Sequence, residues 1–160
     1  MPKIKLKLST DSINQALKEV KAYQKKVEKA ADDLVRRLTE QGVSLAQLNA
    51  SYMDIYDTGE LMRGIESQYK GKIGFVVSTA THSIFCEFGT GIVGAQNPHP
   101  EVAIAGWRYD VNEHGQLGWW YIGRDGKSHW TKGMPSRPYM YETAKMLRSM
   151  VVPLAKEVMC

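Results

Sequence analysis

Cysteine is scarce in this chain, since its 160 residues include only Cys86 and Cys160. Two cysteines so far apart cannot form the disulfide framework of a small secreted domain, so a reducing compartment fits best. Long apolar runs are absent as well, and no window approaches the roughly 20 apolar residues of a membrane span. The first residues also lack the apolar segment of a secretory signal. These absences argue against secreted and membrane proteins.

The excess of positive charge is small and lies at one end of the sequence. The net charge is +4, and residues 1–50 account for all of it with ten Lys or Arg against six Asp or Glu. Such a segment is typical of a nucleic-acid or membrane-surface partner, or of a solvated helix face. The composition, 43% hydrophobic and 24% charged, is that of a soluble globular protein. We expect one domain, residues 1–160, with residues 92–133 forming an extended loop and hairpin insertion.

A long amphipathic helix is predicted after a short edge strand at residues 3–8, where lysines alternate with apolar residues. The capping-box spacing of Ser12 and Gln15 marks its start and Gly42 its end, which gives about 28–30 residues, or roughly 43 Å. Residues 43–57 keep a helix-like spacing that favours a further turn or two. The apolar residues form a heptad seam: Leu17, Gln24, Ala31 and Leu38 at position a, and Ile13, Val20, Val27 and Leu34 at position d. Because a small sheet cannot cover so long a helix, part of the seam should contact the C-terminal helix or a neighbouring subunit.

The middle of the chain predicts a short helix and a hairpin. Asp57 or Thr58 should cap a helix that contains Leu61 and Ile65. The stretch from residue 69 to residue 77 should form a β-hairpin that turns at residues 70–72.

The remaining sequence is rich in glycine and tryptophan until a last helix begins. Residues 92–106 predict an extended loop, and residues 119–131 predict a second β-hairpin. A helix should start at residues 136–138, and Pro153 should kink or divide it. The predicted fold class is α+β. A long N-terminal helix and a C-terminal helix pack on a small, mainly antiparallel sheet, and a long Gly/Trp-rich loop carries a β-hairpin.

Catalytic and metal-binding patterns are weak in this sequence. His82 and Cys86 lie four residues apart, but structural zinc needs about four ligands, and the other histidines are interpreted as unrelated surface or turn residues. Nothing local activates Cys86 as a nucleophile. Residues 89–94 spell the G-x-G-x-x-G of dinucleotide sites, but residues 97–100 are hostile to the helix that such a site needs. We therefore expect no enzymatic activity, no metal site and no cofactor.

The tryptophans allow two interpretations. Trp119, Trp120 and Trp130, together with Arg108 and Arg124, could stack on the bases and bind the phosphates of single-stranded nucleic acid. Alternatively, these tryptophans hold a Gly-rich loop in place or fill a subunit interface, where Trp and Arg are enriched. We favour the second interpretation, because the region has few lysines and arginines for a groove that follows a nucleic-acid backbone.

Three short motifs occur in a familiar order. They are residues 57–61 (Asp-Thr-Gly-Glu-Leu), residues 85–91 (Phe-Cys-Glu-Phe-Gly-Thr-Gly) and residues 133–140 (Gly-Met-Pro-Ser-Arg-Pro-Tyr-Met). With a long helix before them and a C-terminal helix after them, the chain resembles a family of tailed-bacteriophage morphogenesis proteins found in the neck or completing the tail. The resemblance covers roughly residues 10–158. Tyr139 stands where the family usually has Phe.

The resemblance implies a structural virion protein rather than an enzyme. Such subunits form a homo-oligomeric ring in the neck or at the head-proximal end of the tail, where six copies are expected and twelve are the alternative. The ring contacts other neck and tail proteins and lets DNA pass without sequence-specific contacts. Assembly would take place in the bacterial host cytoplasm, with no membrane involved. A small nucleic-acid-binding protein that uses the basic helix and the aromatic loop is the alternative from the residues themselves.

The resemblance also points to the motif residues as candidates for fold or interface roles. Thr58 would cap a helix, Gly59 would allow a tight turn into it, and Glu87 would pair with Arg137 or with a basic group of a neighbour. Two glycines would permit turns closed to other residues. The full candidate set joins these motifs to the aromatic hairpin: Asp57, Thr58, Gly59, Leu61, Glu87, Phe88, Gly89, Thr90, Gly91, Trp119, Trp120, Trp130, Arg137, Pro138 and Tyr139.

Overall fold

The fold is α+β, as the sequence predicts, with a long N-terminal helix, a C-terminal helix and two small antiparallel sheets. The computed structural model describes residues 9–55, 59–109 and 118–159. The predicted edge strand at residues 3–8 and the predicted caps Asp57 and Thr58 lie outside these ranges. The helices are α1 (Thr10–Tyr52), α2 (Glu60–Arg63), α3 (Ser83–Phe88), α4 (Gly91–Gln96), α5 (Val102–Ala105) and α6 (Tyr139–Met159). The strands are β1 (Ile65–Lys70), β2 (Ile73–Ser78), β3 (Trp119–Ile122), β4 (Ser128–Thr131) and β5 (Gly133–Met134).

The first helix is longer than predicted and starts at a different cap. It has 43 residues, about 64 Å at 1.5 Å per residue. The Ser9 hydroxyl accepts a hydrogen bond from the Ser12 N–H at 3.3 Å, so the cap lies three residues before the predicted one. The predicted stop at Gly42 is wrong, because this glycine is a packing position. A Cβ there would lie 2.6 Å from Val76 Cγ2 and 3.0 Å from Leu147 Cδ1.

The two long helices pack antiparallel through the second half of α1. Near one end of the contact, Asn49 Nδ2 donates to Thr143 Oγ1 at 2.9 Å. Near the other end, Arg37 Nη1 lies 3.8 Å from Glu157 Oε2. The last helix runs unbroken through Pro153, so a division there is excluded; Leu154, which is buried, holds the segment beyond the proline in place.

The first hairpin is confirmed. Strands β1 and β2 pair antiparallel, with Lys70 opposite Ile73 and a two-residue turn between them. The prediction that Ile65 belongs to a short helix is wrong, since Ile65 begins β1 opposite Ser78 and is buried. The helix α2 ends at Arg63, because pairing with β2 provides partners for the following backbone groups.

The segment between residues 92 and 133 is more ordered than predicted. The second hairpin, β3 with β4, is confirmed, with Trp120 opposite Trp130. The prediction of an extended loop at residues 92–106 is wrong, since α4 and α5 occupy most of it. Helices of four and six residues make fewer than two turns, so they leave no detectable period in a sequence. The helix α4 ends where Asn97 and Pro98 follow, as a proline requires of the residue before it.

One buried cluster joins α1, α2, β1, α3 and α6. Its members are small or apolar: Ala46, Ala50, Ile55, Leu61, Ile65, Ala80, Cys86 and Tyr139. The contacts come from elements far apart in sequence, so this cluster fixes the position of every motif described above. In the parts of the chain that the structure describes, no helix is both long enough and apolar enough to cross a membrane.

The hydrogen bond between the long helices should be measurable as stability. Asn49 and Thr143 are both buried, so Asn49→Ala leaves the pair broken inside the core. We expect a loss of about 1–3 kcal/mol in the free energy of unfolding. Chemical denaturation followed by circular dichroism measures this loss, with Asn14→Ala on the exposed part of α1 as the control. Equal midpoints for the two variants would contradict the assignment.

Candidate functional site

The carboxylate of Glu87 caps the C-terminal helix from another part of the chain. Glu87 lies in α3, and its Oε2 accepts a hydrogen bond from the Met140 N–H at 2.9 Å. Its Oε1 accepts one from the Tyr141 N–H, also at 2.9 Å. These are the second and third residues of α6, whose N–H groups have no partner within the helix. A negative charge at this end also interacts favourably with the helix dipole.

His99 completes the surroundings of this carboxylate. Its Nε2 lies 3.2 Å from Glu87 Oε1, and both residues are buried. The Nδ1 atom accepts a hydrogen bond from the Glu101 N–H at 3.0 Å, so Nδ1 carries no proton. The proton of the neutral ring is therefore on Nε2, which donates to Glu87. The interpretation of His99 as a surface or turn histidine is wrong, because tertiary contacts bring it to a buried acid 12 residues away.

Aromatic rings enclose the Glu87–His99 pair. The ring of Phe88 lies 4.4 Å from that of His99, and the ring of Tyr141 lies 5.3 Å from it on another side, measured between centroids. Trp107 stacks on Phe88 at 5.3 Å and donates its indole N–H to the Gly89 carbonyl at 3.0 Å. This packing excludes water from the capping hydrogen bonds, which strengthens them.

Two glycines let the second and third motifs touch through their backbones. Gly89 has φ +78°, and a Cβ on it would lie 2.6 Å from the Ser136 nitrogen. Gly91 has φ +61°, and β5 pairs with it and with Thr90 through isolated bridges. The Thr90 hydroxyl accepts a hydrogen bond from the Met134 N–H at 3.2 Å. Both glycines therefore take a conformation that other residues rarely adopt, as the motif implies.

The structure brings the three motifs together, but not through the predicted ion pair. Leu61 and Tyr139 lie in the same buried cluster, and Gly59 makes the turn into α2 with φ +73°. The expected pairing of Glu87 with Arg137 within the chain is wrong. Among the described residues the Glu87 carboxylate is bound by His99 and α6, whereas the Arg137 N–H donates to the Cys86 carbonyl at 2.9 Å. Pro138 directly precedes the helix.

The site offers packing and hydrogen bonding rather than reactive groups. Burial raises the pKa of the Cys86 thiol, and the positive charge of Arg137 offsets this only in part. The thiol is therefore protonated at neutral pH and is a poor nucleophile. Among residues 9–55, 59–109 and 118–159, no three His, Cys, Asp or Glu side chains form a group that could hold a metal ion.

The tryptophans of the second hairpin divide between its two faces. Trp119 packs against Gly91, where a Cβ would lie 2.8 Å from its ring. On the opposite face, Trp120 meets Trp130 edge to face at 5.4 Å, and Ile122 lies beside them. We call Trp120, Ile122 and Trp130 the hairpin apolar face. Its side chains are 46–69% exposed, which is unusual for residues of this size.

A second apolar surface lies on the first half of α1. Its large side chains occupy one side of the helix, and each is at least 41% exposed. We call them the α1 stripe: Ile13, Leu17, Val20, Tyr23 and Val27. The contact between part of the predicted seam and the C-terminal helix is confirmed, but only for the second half of α1.

Comparisons with protein-family models, with curated proteins and with solved structures give no match to this chain. The residues that sequence analysis missed are His99, Trp107 and Ser136, whose hydroxyl donates to the Glu87 carbonyl at 2.6 Å. Each acts through a partner at least 12 positions away. The Ser136-Arg137-Pro138 segment is the one local signal that bears on them.

The capping role of Glu87 predicts a large loss of stability on truncation. Glu87→Ala removes the acceptor for two buried backbone N–H groups and for His99, so we expect about 2–4 kcal/mol less stability. Glu87→Gln keeps one acceptor oxygen and should lose less. Denaturant unfolding monitored at the helical signal measures both, with the exposed Glu19→Ala as the control. An unchanged midpoint for Glu87→Ala would refute the capping role.

The two effects at Gly89 can be separated with a matched glycine. Gly71 also has positive φ, but a Cβ there meets no described atom within 4 Å. We expect Gly71→Ala to cost about 1 kcal/mol and Gly89→Ala about 3 kcal/mol or more, because the added Cβ would meet backbone. Thermal unfolding of the two variants tests this ordering. Similar losses at both positions would show that the close approach at Gly89 is relieved cheaply.

Proposed function

We propose that this chain is a structural virion protein that forms a ring in the neck or at the head-proximal end of the tail of a bacteriophage. The ring joins the head to the tail and allows DNA to pass. It acts through assembly rather than catalysis, with six copies expected and twelve as the alternative.

The observation that carries this proposal is the exposed hairpin apolar face. A β-hairpin with two tryptophans and an isoleucine on its solvent side resembles the core of a protein interface, where aromatic residues are enriched. Soluble monomers rarely expose contiguous apolar surfaces unless these bind a partner. A contact from this face to a different surface of the next subunit is head-to-tail, and such contacts close into rings.

The arrangement of the motifs is consistent with the family that the sequence resembles. Leu61, Glu87 and Tyr139 come from three separate motifs and lie in or beside one core. Residues that build a shared fold are expected to recur together, whatever surfaces individual members present. The motifs therefore support the fold, and the interface role falls to the hairpin.

Nucleic-acid binding remains the second candidate because one helix face is exposed and basic. Five lysines of α1 lie outside the heptad seam and are solvent-exposed: Lys18, Lys21, Lys25, Lys26 and Lys29. A DNA-binding surface made of these residues would show an affinity that falls steeply with salt. A ring that only lets DNA pass would bind it weakly.

The proposed ring is tested on the purified chain. Light scattering after size exclusion, with negative-stain imaging, should give rings at a protein concentration of about 100 µM, which saturates contacts with micromolar Kd. Replacing Trp120 and Trp130 together by Ala should give folded subunits without rings. Ile104→Ala, at an exposed position of α5, is the control and should assemble normally.

Two results would contradict the proposal. The first is a monomer at that concentration, and the second is assembly that persists without the two tryptophans. DNA binding that is tight at low salt and lost on adding salt would instead favour the second candidate.

A further inference from the structure

The first half of α1 is a helix without a covering partner within its own chain. From Thr10 to Lys29 almost every residue is exposed, and the α1 stripe lies along one side. This segment is about 30 Å long at 1.5 Å per residue. Most helical stability in proteins comes from packing of an apolar face. A stripe at heptad spacing with no helix against it therefore calls for another helix.

The α1 stripe continues an interface that the fold already contains. Leu38 lies three heptads after Leu17, and it borders a groove with Leu147 and Val151 of α6. The helix α6 runs antiparallel to α1, brings Glu157 to Arg37 and ends at Met159. Beyond this point the same side of α1 carries apolar residues with no helix against them. A helix that follows on from α6 in the same direction would complete the contact.

We infer that a second copy of this chain supplies that helix. The first half of α1 pairs with the same segment of the second copy, antiparallel and about a two-fold axis. This arrangement covers both stripes with one contact, which is how self-complementary surfaces dimerise. It also places the two protein bodies at opposite ends of the helix pair. A parallel pair would bring both bodies to the same end, where each α6 occupies the side that faces the partner.

The heptad positions set the register of the pair. With the axis near residue 22, Leu17 of one copy lies opposite Val27 of the other, and Val20 lies opposite Gln24. Ile13 then meets Ala31, at the point where the own α6 begins to cover the helix. The axis also brings the Lys21 side chains of the two copies near each other. Salt screens this repulsion, so pairing should strengthen with moderate salt, in contrast to DNA binding.

This pairing is independent of the proposed ring. A ring needs a head-to-tail contact, whereas a two-fold contact joins the same surface of two copies. Two-fold pairing would form dimers of the free chain or join two rings face to face. The contact uses the α1 stripe and leaves the hairpin apolar face available.

The first experiment compares two glutamate variants by light scattering and analytical ultracentrifugation. The wild-type chain should contain an even number of copies at about 100 µM. Val20→Glu places a charge inside the seam and should raise the dissociation constant at least 100-fold, by analogy with about 2.7 kcal/mol of lost contact. Ala22→Glu adds the same charge on the opposite side of the helix and should change it by less than about threefold. A monomeric wild type, or equal effects of the two variants, would overturn the inference.

The second experiment tests the orientation by disulfide formation in a Cys160→Ser background, with Cys86 left in its buried position. A mixture of the Leu17→Cys and Val27→Cys chains should cross-link, while each variant alone should not. Cross-linking of Leu17→Cys with itself would show a parallel pair and overturn the proposal, as would the absence of any cross-link. Cross-linking without rings contradicts the proposed function alone, and rings without this cross-link contradict the pairing alone.

Discussion

The capping of α6 by Glu87 is the interaction on which the rest of the structure depends. One buried carboxylate accepts hydrogen bonds from two helix N–H groups and from His99. Without it, buried donors would lack partners, at a cost comparable to a large part of the stability of a small domain. Because the cap fixes where α6 begins, it also fixes how α6 lies against α1.

Close backbone contacts make this cap possible. The glycines at positions 89 and 91 bring the end of α3 against the segment that leads into α6, where a Cβ would meet backbone atoms. Trp107 and Phe88 then cover the contact from the other side. The motif residues thus form an internal junction, and their chemistry is used up within the subunit. Functional contacts with other molecules fall to surfaces outside the motifs.

Two such surfaces remain uncovered, and they differ in symmetry. The hairpin apolar face projects aromatic side chains suited to a different surface of a neighbour, which leads to ring closure. The α1 stripe matches its own copy in the opposite direction. A protein with both contacts could assemble in two steps, because neither surface overlaps the other or the buried junction around Glu87.

The sequence by itself determined the local elements, since periodicity and turn chemistry are local properties. It predicted the heptad seam, both hairpins, the left-handed glycines and the α+β class. Only the tertiary structure decided that Gly42 continues a helix, that His99 is buried, and that Glu87 binds a helix end rather than Arg137. In each case the deciding atoms come from a distant part of the chain. A buried glycine and a helix stop, or a buried and an exposed histidine, look the same until the fold supplies their neighbours.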